Sequence, residues 1–259
     1  LSAFIVGDSP MRLTPDATSL QNWASNVNLA VEDNDNGLVS TDEYLGVFYP
    51  SGFTSDNFGN NVVVPSSHMM LRTIALSDQV SFPWFAPAGT RRGGITNASS
   101  TGYISNEGEF VSTALNEGQR DTLYSNNVNP ITFITGAGLV NYGQKTRFAG
   151  SSALDRINVA RLVIYMRSQL NKLARPYVFE PNDKITRDEI KAQSESLLLE
   201  LVGNRAIYDF LVVCDESNNT PTRIDRNELY LDIAIEPVKA VEFIYVPLRL
   251  KNTGEIAGL

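Results

Sequence analysis

With 259 residues and 42% hydrophobic side chains, the chain can bury a substantial core as one large domain or two small ones. Its formal net charge of −8 argues against general nucleic-acid binding, which needs a basic face, and no run of about 18 apolar residues reads as a membrane span. A single cysteine, Cys214 in the run FLVVC, excludes an intrachain disulfide framework, and an opening LSAFIVGDSP with neither basic leader nor initiator Met reads as part of a longer chain.

Residues 3–6 predict a strand, and residues 16–29 a short amphipathic helix carrying Leu20, Trp23 and Val27. YLGVFYP, residues 44–50, predicts another strand, ended by Pro50. Residues 61–75 are ambiguous, with Pro65-Ser66 a plausible helix start before Met69, Met70 and Ile74. Residues 83–106 are rich in Gly, Pro, Ser, Thr and Asn and predict a long surface loop. A short helix then leads to two strands around ITFIT and GLVNYG. Residues 154–174 predict a long helix, because Val159, Leu162, Val163, Met166, Leu170 and Leu173 recur every third or fourth position. Thr186 and Glu189 read as a capping box opening a helix that runs to Val202, with Gly203 as its C-terminal stop. Residues 208–215, 228–236 and 241–251 read as extended, the second with Leu229, Leu231, Ile233 and Ile235 on one face.

Two helices between groups of strands imply an α+β fold with a mixed, mainly antiparallel sheet flanked by helices; the extended terminal arm that completes this reading is what the resemblance given below implies. We divide the chain into an N-terminal α/β part, residues 1–100, and a C-terminal domain with its arm, residues 101–259, expecting the two to pack as one unit.

Catalytic motifs are scarce. His68 is the only histidine, no nucleophile motif lies near it, and one His with one Cys cannot make a zinc site. TGAGLVNYG lacks the third glycine of a dinucleotide fingerprint. EDNDNGLVSTDE, residues 32–43, has the oxygen spacing of a calcium loop, with Gly37 at position six and Glu43 at twelve, but Glu32 stands where Asp is usual and the residues that follow read as a strand.

From Tyr44 onward a series of motifs resembles the tail sheath proteins of contractile bacteriophages and related injection systems. YLGVFYP is similar to the family's Y-x-x-x-Y-P strand, VPSSHMM to its helix start, and FAPAGTRRG (residues 85–93) to its A-P-A-G-x-x-R-G loop. RDTLYSNNVNPI (residues 120–131) resembles its helix and Asn-Pro turn. GQKTRFAGSSALDRINVARL (residues 143–162) is the most extensive match, followed by FEPND, Thr186-Arg187 and CDESNNTP.

The resemblance implies a structural subunit that assembles around a tail tube in a helical sheath and contracts to drive the tube through the host envelope. It implies no catalysis and no cofactor. The partners it implies are copies of the chain, the tail tube protein, and baseplate and tail terminator proteins, in a virion assembled in the host cytoplasm, with no nucleic acid or membrane contact. Subunits of this kind stay joined by extended arms. Val241, Phe243 and Tyr245, alternating with Glu242, Ile244 and Val246, make an arm candidate here, with Leu248 and Leu250 reaching furthest out; the other reading is a strand in the chain's own sheet. Arg156, Arg161, Arg167, Lys172 and Arg175 fall on an arc of the long helix opposite its apolar stripe. They are candidates to face an acidic tube or neighbour, or else to form ion pairs within the subunit with the helix that Thr186 and Glu189 open. On the first reading Arg161 and Arg167 tolerate charge reversal without loss of fold. Two other function classes stay open: an enzyme, which requires a concave pocket with convergent polar groups at the loop from Phe85 to Gly93, and a calcium-binding module at residues 32–43.

Overall fold

A computed structural model describes residues 3–25, 42–148 and 150–245. In chain order its strands and helices are β1 (Ile5–Gly7), α1 (Ala17–Ser25), β2 (Leu45–Tyr49), β3 (Ser51–Ser55), β4 (Asn61–Val64), α2 (Ser66–Val80) and α3 (Gly89–Arg92). There follow β5 (Ser100–Ile104), β6 (Phe110–Ser112), α4 (Glu117–Ser125), β7 (Asn129–Ile134) and β8 (Gly138–Asn141). The remainder is α5 (Ile157–Ala174), α6 (Lys184–Gly203), β9 (Ile207–Val213), α7 (Pro221–Asp225) and β10 (Asp232–Pro237). The α+β class is as expected, with the sheets mostly antiparallel.

A four-stranded sheet of order β1-β2-β7-β8 forms the centre, with β1, β2 and β7 parallel and β8 antiparallel to β7. Both of its faces are covered, which is why YLGVFYP reads as continuously apolar. Val47 and Tyr49 point into a cluster with Leu20, Trp23 and Leu123 from α1 and α4. Phe48 points the other way, against Met69 and Met70 of α2 and Ile157 of α5. This period of two places helices on either side of one strand.

Pro50 does not end the chain's extended run. The Tyr49-Pro50 peptide is cis, and the chain passes directly from β2 into β3 of a second, wholly antiparallel sheet, β4-β3-β5-β6. The first and second sheets both take strands from either side of residue 100. A third cluster joins Leu162 and Met166 of α5 to Leu198 and Leu201 of α6 and to Ile207 and Val212 of β9, which pairs antiparallel with β10.

Several boundaries differ from expectation, each for a local reason. Residues 83–106 are not one long loop: Trp84 is buried in the third cluster, α3 forms, Gly94 bridges Val140, and β5 begins at Ser100. α6 is capped by Asp183, whose carboxylate accepts from the Thr186 N–H, so Thr186 lies inside the helix and Thr186–Glu189 is no capping box. Gly203 ends the helix in helical geometry, and the left-handed residue is Arg205, at φ 62°. A true capping box sits at α4, between Asn116 and Gln119.

Candidate assembly surfaces

The C-terminal segment is bound at its root and free beyond it. The Val238 N–H donates to Ala206 O at 3.0 Å, and Asn158 Nδ2 donates to Val238 O at 3.4 Å. Four residues on, Glu242 turns inward. Arg156 grips its carboxylate with two donors, Nε to Oε1 at 2.5 Å and Nη2 to Oε2 at 3.1 Å, and Gln144 Nε2 donates to Oε1 at 3.1 Å. Burial pushes the Glu242 carboxyl up, but the hydrogen bonds from Arg156, Tyr124 and Gln144 and the Arg156 charge outweigh it, so its pKa is lowered. The Tyr124 hydroxyl is pushed up, first by burial and then by this carboxylate.

Around that anchor the apolar side chains point to solvent. Val241, Phe243, Ile244 and Tyr245 are between 69% and 89% exposed, and residues 238–245 pair with no strand of their own sheet. The expected strand from residue 241 is therefore absent over residues 241–245, although the apolar groups that would form one are in place. Leu248 and Leu250 lie outside the described residues.

The depressed Glu242 pKa sets the sign of a pH effect. A carboxylate with a lowered folded pKa contributes stability above its unfolded value, about 4.5, and loses it as pH falls through the folded value. Glu242→Gln should cost about 1–3 kcal/mol above that pH, because Arg156 keeps its half-buried charge and loses its partner. The gap between wild type and variant in urea melts should close in acid. A gap independent of pH would mean that the ion pair is not what holds the segment.

The five bases do not form one exposed arc. The first two turns of α5 are buried all round, because α2, α6 and the central sheet crowd its N-terminal end. Arg161 is 8% exposed, with Nη2 donating to Asp78 Oδ2 at 2.5 Å. Arg156 is taken by Glu242. Arg167 is exposed but lies over the Tyr44 ring at 5.7 Å, and Lys172 and Arg175 are exposed near the C-terminal end. The reading of Arg161 as a surface charge is corrected: Arg161 and Arg156 form ion pairs within the subunit, but with Asp78 of α2 and with Glu242, not with α6 as expected.

The loop from Phe85 to Gly93 lines a cleft of about 650 Å³ whose far wall is the segment Val238–Phe243. Trp84, Phe85, Tyr124 and Tyr142 supply rings to it, and Arg92, Arg120 and Arg205 supply guanidinium groups. Arg92 stacks over Phe85 at 4.6 Å, and its pKa is lowered by burial and by the charges of Arg91 and Arg205. The cleft is concave and partly polar, as an enzyme reading requires, but the histidine is elsewhere, exposed on α2. Cys214 is buried, and burial pushes its thiol pKa up, which leaves it unreactive. The calcium-loop candidate lies outside the described residues except for Asp42 and Glu43. Among the described residues no three His, Cys, Asp or Glu side chains gather as metal ligands.

Two features were not foreseen. Glu242 stood in the sequence as the polar alternate of a strand, and only its fold neighbours show that it is the anchor. Phe179, in FEPND, is fully exposed at φ 78°, a conformation that no sequence pattern announces for an aromatic residue.

Comparison with known proteins fits this geometry. Residues 150–251 match the phage tail sheath C-terminal domain. The tail sheath protein of Vibrio phage KVP40 is 35% identical over 249 residues, covering 93% of this chain and 35% of that protein. The tail sheath protein of Enterobacteria phage T4 is 31% identical over 255 residues, covering 95% and 36%. The chain thus spans about a third of the length of the curated relatives it matches. Its fold is shared with the sheath complex of an extracellular contractile injection system in the contracted state, at TM-score 0.73 and 16% identity over 97% of this chain and 64% of that one. The contracted helical sheath of the anti-feeding prophage superposes at TM-score 0.70 and 19% identity, over 97% and 71%. The class is therefore that of sheath subunits. Within it, the chain belongs to the phage tail sheath proteins, whose C-terminal domain it carries.

Proposed function

We propose that the chain is a structural, non-catalytic subunit of a contractile tail sheath, which assembles with copies of itself around the tail tube and contracts to drive the tube through the host envelope. The observation that carries this reading is the C-terminal segment. It is anchored by Glu242, it presents Val241, Phe243, Ile244 and Tyr245 to solvent, and it has no ladder partner of its own. An extended segment of this kind gains its main-chain hydrogen bonds by completing the edge of a neighbour's sheet. Residues 246–251 continue the alternation with Leu248 and Leu250. The tube protein, the baseplate and the tail terminator are the further partners of such a sheath, in a virion tail put together in the host cytoplasm. Lys172 and Arg175, with Arg167, are the bases left outside to meet an acidic tube or neighbour.

The test is removal of Leu248–Leu259 from the full-length protein. Its melting temperature should stay within about 2 °C of wild type, since an arm donated to a neighbour contributes little to its own subunit's stability, while long tubes disappear in electron micrographs. Normal tubes would take the arm out of the mechanism, and a large drop in melting temperature would assign the segment to its own subunit's core.

A further inference from the structure

We propose that Phe179 is a knob which seats in the Phe85–Tyr142 cleft of the next copy of the chain; this rests on the self-assembly reading above. Phe179 has 102% relative exposure and φ 78°, a conformation that costs an aromatic residue free energy and gains it no contact within the chain. The loop holding it is nevertheless tied down by hydrogen bonds on both sides. A 3₁₀ turn, Arg175–Tyr177, precedes it, and Glu180 N donates to Tyr177 O at 3.2 Å. Beyond it, Asn182 Nδ2 donates to Glu228 O at 2.9 Å, and Asp183 caps α6. Val178 and Ile185 are exposed beside it, so the feature is a small apolar prow on a fixed mount. Rigid, exposed aromatic side chains are what interfaces use as anchors, because little ordering entropy remains to be lost on docking.

The cleft has the complementary chemistry. Tyr142, 51% exposed, is the ring open to an aromatic guest edge on, while Trp84 floors the cleft and Phe85 and Tyr124 lie under Arg92 and Lys145. Arg92 and Arg205 bear like charges close together in the cleft, and among the described residues no salt bridge joins a carboxylate to either. Glu180, exposed and directly after Phe179, has no ion-pair partner among the described residues either, and it would answer them. The knob precedes the first turn of α6, and Arg205 follows the last. Twenty residues of helix hold the two about 30 Å apart, so they cannot meet within one chain. They can meet between copies. A contact between two different patches of the same molecule is heterologous, and when its rotation does not close into a ring it generates an open helical array.

The test uses two versions of the full-length protein, each with one added cysteine beside the contact, Pro181→Cys next to the knob and Asp121→Cys at the cleft, with Cys214 left buried. Mixed under assembly conditions and treated with a short bismaleimide, they should give a covalent dimer that neither gives alone, and the double variant should give a ladder. Phe179→Gly should raise the concentration needed for assembly about tenfold or more while its melting temperature stays level or rises, because glycine relieves the positive φ. Glu180→Arg should weaken assembly, and pairing it with Arg205→Glu should restore it. Tubes without the cross-link would overturn the knob and leave the sheath reading standing. A cross-link without tubes would support the contact and count against the sheath. A cross-link only to a different protein would give the cleft another occupant and overturn the proposal.

Discussion

Reversing the charge at Arg161 should unfold the chain at a much lower temperature. Arg161→Glu sets a second carboxylate beside Asp78 at a site 8% exposed, where the existing ion pair has Nη2 on Oδ2 at 2.5 Å. Breaking a buried pair from one side costs about 3–5 kcal/mol, and the added like-charge repulsion moves the effect to the upper part of that range. For a chain of this length that is a fall of about 6–20 °C. Arg161→Met should cost far less: the methionine fills the apolar slot of α5, and Asp78, about a third exposed, recovers water in place of its partner. Parallel calorimetry of the two variants separates the terms. Equal losses would mean that the site needs arginine's volume and that its charge is incidental.

Asn129→Leu should be nearly as damaging, although it keeps the side chain's size. Asn129 is wholly buried at the start of β7, next to β2. Its Nδ2 donates to Val47 O at 3.0 Å and to Lys145 O at 2.8 Å, and its Oδ1 accepts from the Lys145 N–H at 2.7 Å. Leucine leaves three backbone groups without these partners, at about 1–3 kcal/mol for each that finds no replacement. A loss of at least about 3 kcal/mol in chemical denaturation is expected, together with exposure of the β2–β7 seam to hydrogen exchange. A loss below about 1 kcal/mol would show that water enters and satisfies these groups.

How much of this was readable in the sequence depends on whether the information is local. The apolar spacing of residues 154–174 identified α5 to within three residues, and YLGVFYP identified β2 as a strand but not that both its faces are covered. β5 escaped notice because STGYI carries little apolar pattern and follows a Gly- and Pro-rich stretch; what makes it a strand is pairing with β3, whose residues lie about fifty positions earlier. The Asp183 cap was legible as D-x-x-T, but T-x-x-E three residues on offered a competing local solution. Arg161 was misplaced for a different reason. Helical periodicity assigns a residue to an angle, and at the start of α5 every angle is covered by something else. Partners such as Asp78 and Glu242, more than eighty residues away in each case, leave no trace at that range.

The insertion of the whole second sheet between β2 and β7 of the first bears on the order in which a ribosome delivers them. β2 is finished at Tyr49, but its neighbour β7 ends at Ile134 and the strand that closes that sheet, β8, at Asn141. At about 5–20 residues per second, the first strands wait roughly 5–20 s before their partners exist. During that interval β2 has β1 on one side and no native neighbour on the other. The chain must therefore pass through a stage at which pairing with another nascent copy competes with pairing to itself, and the competition ends only when residues 129–141 emerge.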